Sequence, residues 1–336
     1  MHRSELTIDL GALRRNVRTL LRTLDGAALW AVVKADGYGH GARDVAKAAL
    51  DAGAGALCVA TLAEGLALRR EFPDTRILVM GPVDDMTDAR TAELEVAVGQ
   101  GELPEGVGVH VKLDTGMGRY GFSERPSMHV NVVGVMSHLA TADSDEAFAR
   151  AQVERFRQAT EGLDVTRHIA NSAAALRLPE ARFDAARCGI AIYGLSPFME
   201  DPAANGLEPV LQWRSHLAQV KLLQPGESTG YGRRFVAVRP TWIGLVPVGY
   251  ADGFRRDLTG TDVRVADEPC KVIGTISMDS FAVELGRELP AGTPVTLLGD
   301  GVLAEAHAKV AGTINYELVA GITSDPRRAQ RKVIDV

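Results

Sequence analysis

Cysteine is scarce. The 336 residues contain three, Cys58, Cys188 and Cys270. They lie far apart, with no CxxC spacing and no accompanying Cys/His cluster. That excludes a disulfide scaffold and a zinc centre, and no metal is expected. Basic charge is also short: 37 Lys and Arg against 43 Asp and Glu leave a formal charge of −6. Binding to a phosphate backbone needs a basic surface, so nucleic acid is not an expected partner. Long apolar runs are missing as well. Stretches such as LWAVV (29–33) and IGLVPV (243–248) fall far short of the roughly 20 residues that span a bilayer. The opening MHRSELTIDL lacks a basic segment followed by an apolar one, so no secretory signal is expected. These absences together suggest a cytoplasmic protein without a membrane partner.

Apolar residues are abundant at 46%, enough for buried cores. At about 150 residues per domain, the length suggests two domains, or one large barrel with an appendage. The 35 glycines suit many tight turns that approach a ligand closely. Up to about residue 195, short apolar runs alternate with helical patterns. LGALRRNVRTLLRTL (10–24) repeats Leu and Val at helical spacing. Eight strands follow: LWAVV (29–33), ALCVA (56–60), ILVMG (77–81), EVAVG (95–99), VGVHVKL (107–113), NVVGVMS (131–137), RHIAN (167–171) and DAARCGI (184–190). Eight strands mostly separated by helices predict an α/β fold, a (β/α)8 TIM-like barrel.

Two connections fall short of that pattern. QGELPEGV, between the fourth and fifth strands, is shorter than the roughly 10–12 residues of a helical crossover. LDTGMGRYGFSERPSMHV, between the fifth and sixth, is rich in helix breakers. The barrel is therefore expected to lack one or two outer helices here. By contrast DEAFARAQVERFRQATEG (145–162) predicts a helix opened by acidic residues and closed by Gly162. Beyond YGLSP the pattern turns to short β-runs: HLAQVKLL, TWIGLVPVGY, PCKVIGTIS, SFAVEL and TPVTLLG, with one helical candidate, LAEAHAKVAG. The expected division is a barrel over 1–200 and a mostly β C-terminal domain over 207–336, with residues 1–10 a candidate to pack with the latter.

Functional groups of such barrels gather where strands end at the C-terminal face. Lys34 directly follows the first strand, and Arg119 lies in the loop after the fifth. His138 closes the sixth strand, Asn171 and Ser172 the seventh, and Arg187 to Ile190 the eighth. Each has a bland reading as a solvated or turn residue; polar groups at five strand ends together point to one mouth. A lysine at a buried strand end loses its proton easily, which suits a Schiff-base role. Ser172 and the amides of Gly189 and Ile190 follow the strands where barrels commonly hold a phosphate. A carbonyl cofactor that carries a phosphate, pyridoxal 5′-phosphate (PLP), satisfies both requirements.

AVVKADGYGHG, KLDTGMGRYGF, SHLATAD, HIANSAA, RCGIAIYG, VPVGYADG and ISMD occur in this order, and over essentially the whole length the sequence resembles the alanine racemases. The resemblance implies an isomerase that interconverts L- and D-alanine on PLP, as a head-to-tail homodimer with shared active sites, supplying D-alanine as a peptidoglycan precursor. It implies two catalytic bases on opposite faces, Lys34, which also carries PLP, and Tyr250 from the partner's β-domain. Arg187 would face the pyridine nitrogen, supported by His138; Tyr38, Asn171, Ser172, Gly189 and Ile190 would line the cofactor. Arg119 and Met278 would hold the substrate carboxylate, and Lys112 matches a lysine that is carbamylated in some members.

Two departures stand out. The family's tyrosine that touches the PLP phosphate, downstream of an Asn-Tyr-Glu, is matched here by Ser324, and the barrel is trimmed around its fifth strand. Competing readings are a PLP racemase of another amino acid, a decarboxylase on the same barrel, or a non-catalytic PLP homeostasis protein. Arg187, where decarboxylases of this fold carry a carboxylate, speaks against the second. A whole β-domain bearing Tyr250 and Met278 speaks against the third.

Overall fold

Runs that are apolar at every position bury both faces of a strand, and the sequence uses them in the wall of a barrel. In the computed structural model, which describes residues 2–128 and 131–336, the chain forms two units. One comprises residues 11–198 and 202–208; the other comprises 1–10, 199–201 and 209–336. After strand β1 (Glu5–Asp9), which belongs to the second unit, come β2 (Ala28–Val32), β3 (Ala56–Val59), β4 (Ile77–Val79), β5 (Glu95–Val98), β6 (Gly108–Lys112), β7 (Val132–Met136), β8 (Thr166–His168) and β9 (Ala185–Cys188). These are the eight strands expected from the apolar runs. They pair in parallel in the order β8-β7-β6-β5-β4-β3-β2-β9. Backbone bonds from Arg187 N to the Ala170 oxygen (3.0 Å) and from Asp184 N to the Arg167 oxygen (3.1 Å) link the two ends of the sheet. The ring is nearly closed.

The helices outside follow from their apolar stripes and caps. Leu10–Leu24 buries Leu13, Val17, Leu20 and Leu24. Leu62–Glu71 starts at a capping box in which Thr61 and Glu64 each satisfy the other's backbone N–H. Glu146–Ala159 opens on Asp145, whose carboxylate accepts from Phe148 N at 3.0 Å. It ends at Thr160 rather than at Gly162: the Thr160 hydroxyl bonds back to the Phe156 oxygen at 2.8 Å and closes the last turn first. Between β5 and β6, and between β6 and β7, no helix forms among the described residues, so two outer helices are missing where the connections were too short or too rich in breakers. Residues 129 and 130, at the end of the second connection, lie outside the described residues. No helix among the described residues is long and apolar enough to cross a membrane.

The second unit is mostly β. Strands β10 (Leu211–His216), β11 (Gln219–Leu223), β12 (Ser228–Thr229), β13 (Phe235–Val236), β14 (Thr241–Val246), β15 (Asp262–Val265), β16 (Glu268–Ile273), β17 (Phe281–Leu285), β18 (Pro294–Leu298) and β19 (Gln330–Ile334) follow one another. β12 and β13 form a small hairpin; the rest join β1 in a nine-stranded sheet, β11-β14-β17-β16-β15-β18-β10-β1-β19. The run HLAQVKLL was expected to be one strand and is two. Leu217 N donates to the Thr293 oxygen and Ala218 N to the Leu245 oxygen, so the chain changes pairing partner at that point. The expected helix is Ala304–Ala311, and a second one, Asn315–Ala320, follows it.

Candidate active site

Lys34 sits where β2 gives way to an unusual turn. Ala35, Asp36, Gly37 and Tyr38 all have positive φ, 52°, 50°, 60° and 54°, a single left-handed turn with one glycine in it. For a non-glycine residue this costs roughly 1–2 kcal/mol. Local bonds offset it. Ala35 N donates to Glu64 Oε1 (2.7 Å), Gly37 N to the Val33 oxygen (2.9 Å), and Ala42 N to Asp36 Oδ1 (2.8 Å). The turn leaves Lys34 half-buried. Burial, then the charge of Arg119, lower its pKa, while Glu64 opposes them. The amine is thereby eased toward its neutral, nucleophilic form.

Across the barrel end, the Asn171 side chain caps the short helix Ser172–Arg177 by accepting from Ala174 N at 3.0 Å. The buried Ser172 Oγ accepts from Gly189 N (3.0 Å) and Ala191 N (3.4 Å). A Cβ on Gly189 would lie 2.4 Å from the Tyr38 hydroxyl, so a larger residue there would push the buried Tyr38 ring aside. Ile190 begins a single 3-10 turn to Tyr193 and is fully buried. Tyr38, Ser172, Gly189 and Ile190 thus converge on one small cradle, as the strand ends suggested.

Arg187 departs from that reading in two ways. It lies within β9 rather than at its end, and its side chain is 4% exposed. Its nearest histidine is also a different one. Nη1 meets His168 Nδ1 at 2.6 Å, while His138 Nδ1 lies 3.4 Å from Nη2. His168 is therefore the main support, because β8 is beside β9 at the ring's closure and delivers it directly. The Arg187 nitrogens also donate to the backbone oxygens of His168 (2.9 Å) and Ser137 (2.6 Å). His168 Nε2 meets His110 Nδ1 at 2.8 Å, and His110 Nε2 meets Glu95 Oε2 at 2.9 Å. Glu95 Oε1 pairs with Arg76 at 3.0 Å.

The chemistry of the end groups sets the direction of this chain. Arginine only donates and an ionised carboxylate only accepts. Hence His168 receives at Nδ1 and donates from Nε2, and His110 does the same. Both rings are neutral, and burial lowers both pKa values, that of His168 far. Burial also lowers Arg187 to about 10, still charged at neutral pH. Trp30 packs on the two rings at 4.5 and 5.6 Å. Gly134 on β7 leaves room for the chain: a Cβ there would lie 2.2 Å from His110 Nδ1. His168, His110 and Glu95 were given no role from the sequence, although His168 opens HIANSAA. The signal was two histidines and a glutamate within the barrel strands β8, β6 and β5.

Arg119 is exposed on a loop shaped by Asp114, whose Oδ1 accepts from Gly116 N (2.9 Å) and Met117 N (2.8 Å). The loop borders a cavity of about 360 Å³ that Lys112, Arg119, Tyr120, Met80 and Val98 help to line. Lys112 is 8% exposed; burial, then Arg119 and Arg187, lower its pKa to about 8. Burial and these same cations hold the half-buried His138 down at about 3. In the second unit, Tyr250 and Met278 are 43% and 52% exposed. Two backbone bonds hold their segments together, Tyr250 N to the Ser277 oxygen (3.1 Å) and Ala251 N to the Met278 oxygen (3.0 Å). Ser324 is half-buried in the turn between the helix Asn315–Ala320 and Asp325.

The family model of the alanine racemase N-terminal domain matches residues 8–197, and that of the C-terminal domain matches residues 210–331. The chain belongs to the alanine racemase family. Alanine racemase 1 of Bacillus subtilis is 41% identical over 94% of this chain and 90% of its own length. The alanine racemase of Ligilactobacillus salivarius is 38% identical over 94% and 95%. Among solved structures, the biosynthetic alanine racemase of Pseudomonas aeruginosa superposes with a TM-score of 0.92 at 34% identity, covering 99% of this chain and 100% of that one. The alanine racemase of Streptomyces lavendulae, a D-cycloserine producer, gives 0.91 at 36%, covering 100% and 98%. The barrel-plus-β architecture of the family therefore holds here despite the two missing helices.

Proposed function

We propose that this chain is an alanine racemase that works with PLP held at Lys34, in the cytoplasm, supplying D-alanine for peptidoglycan. The observation that carries it is the buried, charged Arg187, oriented by neutral histidines in the same family barrel that bears Lys34. The residues fit the cofactor. Lys34 offers an amine of lowered pKa, and the Tyr38–Ser172–Gly189–Ile190 cradle, where a Cβ on Gly189 would press on the Tyr38 hydroxyl, offers the Tyr38 and Ser172 hydroxyls for a phosphate, with Asn171 shaping the helix start beside it. Arg187 offers a donor-only partner for a pyridine nitrogen.

When bound, PLP acidifies the Cα–H of an amino acid joined to it. The protein then has to move a proton off one face and onto the other. Lys34 serves one face and Tyr250, from a second copy of the chain, the other; the exposure of Tyr250 and Met278 suits residues completed by a partner. Arg119 and Met278 hold the alanine carboxylate. Arg187 would face the pyridine nitrogen of bound PLP as a donor that does not yield its proton, which would weaken the electron sink and suppress side reactions. Borohydride reduction of the yellow holoenzyme, followed by peptide mapping, is expected to place the pyridoxyl label on Lys34. In a panel of L-amino acids, alanine is expected to racemise fastest. Label on another lysine, or no racemisation of alanine, overturns the proposal.

A further inference from the structure

Tyr250 is exposed, yet two residues along its loop lies a fully buried charge, Asp252 at 0%. Oδ1 of Asp252 accepts from Arg3 Nη1 (2.9 Å) and Arg328 Nε (2.9 Å). Oδ2 accepts from Arg3 Nη2 (3.1 Å) and from Gly249 N (2.9 Å), the residue before Tyr250. Arg328 continues to Asp279 Oδ1 at 2.7 Å, beside Met278. The backbone is clamped equally closely. A Cβ on Gly249 would lie 2.3 Å from the Ser277 oxygen, and one on Gly253, at φ +101°, 2.5 Å from the Gly321 oxygen. Thr323 N donates to the Asp252 oxygen at 3.1 Å. Three remote parts of the chain, around residues 3, 252 and 328, thus meet on one carboxylate inside the second unit.

We propose that Asp252, gripped by Arg3 and Arg328, is the positioning unit that sets where the Tyr250 hydroxyl stands during proton transfer. The inference rests on the reading of Tyr250 as one of the two proton-transferring groups. The unit touches neither substrate nor cofactor. It acts by holding the Gly249–Gly253 loop against Ser277–Met278, so that side-chain rotation about one anchored backbone is the only freedom left to Tyr250.

The test uses holoenzyme carrying Arg328→Gln, Arg328→Lys or Asp252→Asn, with Tyr250→Phe as reference, and alanine deuterated at Cα in both enantiomers. An ångström of misplacement can cost about 100-fold in rate, so Arg328→Gln, assayed well below its own melting temperature, is expected to lower kcat/KM at least tenfold while PLP absorbance stays near wild type. The two enantiomers are equal in free energy, so kcat/KM must fall equally in both directions. The isotope effects must not. The enantiomer whose α-deuteron goes to Tyr250 gains a larger effect, and the other moves toward unity. Arg328→Lys is expected to restore part of the rate. Matched isotope effects in Arg328→Gln overturn the positioning role alone. Wild-type rates and isotope effects in Tyr250→Phe overturn the reading of Tyr250 and this inference with it. Should Asp252→Asn not fold, the Arg328 variants carry the test.

Discussion

Arg187 and Asp252 are both buried charges, at 4% and 0% exposure, but they keep opposite company. Asp252 is met directly by two guanidinium groups. Arg187 is met by a neutral histidine and by backbone oxygens, and the nearest carboxylate on its chain is Glu95, beyond His168 and His110. Taking an ion out of water costs several kcal/mol unless partners compensate it. At Asp252 the compensation is complete and local, so the charge is absorbed into holding a loop. At Arg187 dipoles make the burial tolerable without cancelling the positive charge. The charge left uncancelled is solvated by neutral groups; the charge that holds a loop is paired.

The sharpest way to break this contrast is to ask whether both units serve one site. Lys34→Ala and Tyr250→Ala are each expected to abolish racemisation. Mixing the two after subunit exchange is expected to restore activity, with about a quarter of the sites complete in a closed dimer of random pairing. No recovery after verified exchange would mean that the two residues do not share a site across copies.

A smaller effect tests the barrel's half. Gly134→Ala forces a Cβ against His110 and is expected to cost about 1–3 kcal/mol of stability by overpacking, read in denaturant titration. Its acid profile sharpens the point. Folding lowers the pKa values of His168 and His110, so the unfolded chain binds more protons. The stability they contribute is fully present above about pH 6.5 and is lost as pH falls below it. The displaced His110 of Gly134→Ala is expected to flatten that loss; an unchanged profile would show that the chain of rings is not a unit.

The smallest effect concerns Ser324. A hydrogen bond to a charged group contributes about 1.5–3 kcal/mol, so Ser324→Tyr is expected to tighten PLP binding roughly tenfold on titration of apoprotein. Equal dissociation constants would make Ser324 an ordinary turn residue.

Much of this molecule could be read before any coordinates. Apolar runs marked strands such as β2, β3 and β4, because a strand buried on both faces has no room for polar alternation; β8, Thr166–His168, was read from RHIAN, which is polar at most positions. The two missing helices were legible in connections too short or too rich in Gly and Pro to coil. The strand-end positions of Lys34, Ser172 and Gly189 were legible, and the fold brings Ser172 and Gly189 together. His168 and His110 were not, since a histidine that faces inward from a strand leaves no local pattern. Arg3, Asp252 and Arg328 were not either: their bonds span 249 and 76 positions, and only the folded sheet brings them together. The left-handed turn after Lys34 was hidden because three of its four residues are not glycine.

The fixed direction of the Arg187–His168–His110–Glu95 chain also limits how this barrel can change. Exchanging Arg187 for a carboxylate, the choice that would strengthen the electron sink, inverts the polarity at His168. The neutral rings would then have to point their protons the other way, and Glu95, while ionised, cannot donate to His110. The alternative is an extra proton lodged on His168, where burial opposes it. Neither outcome is reached by one substitution at constant charge. If Arg187 faces the cofactor as proposed, a lineage carrying this network would be separated from such a neighbouring reactivity by several concerted replacements on different strands, and the wiring behind the arginine would guard its specificity as much as the arginine itself.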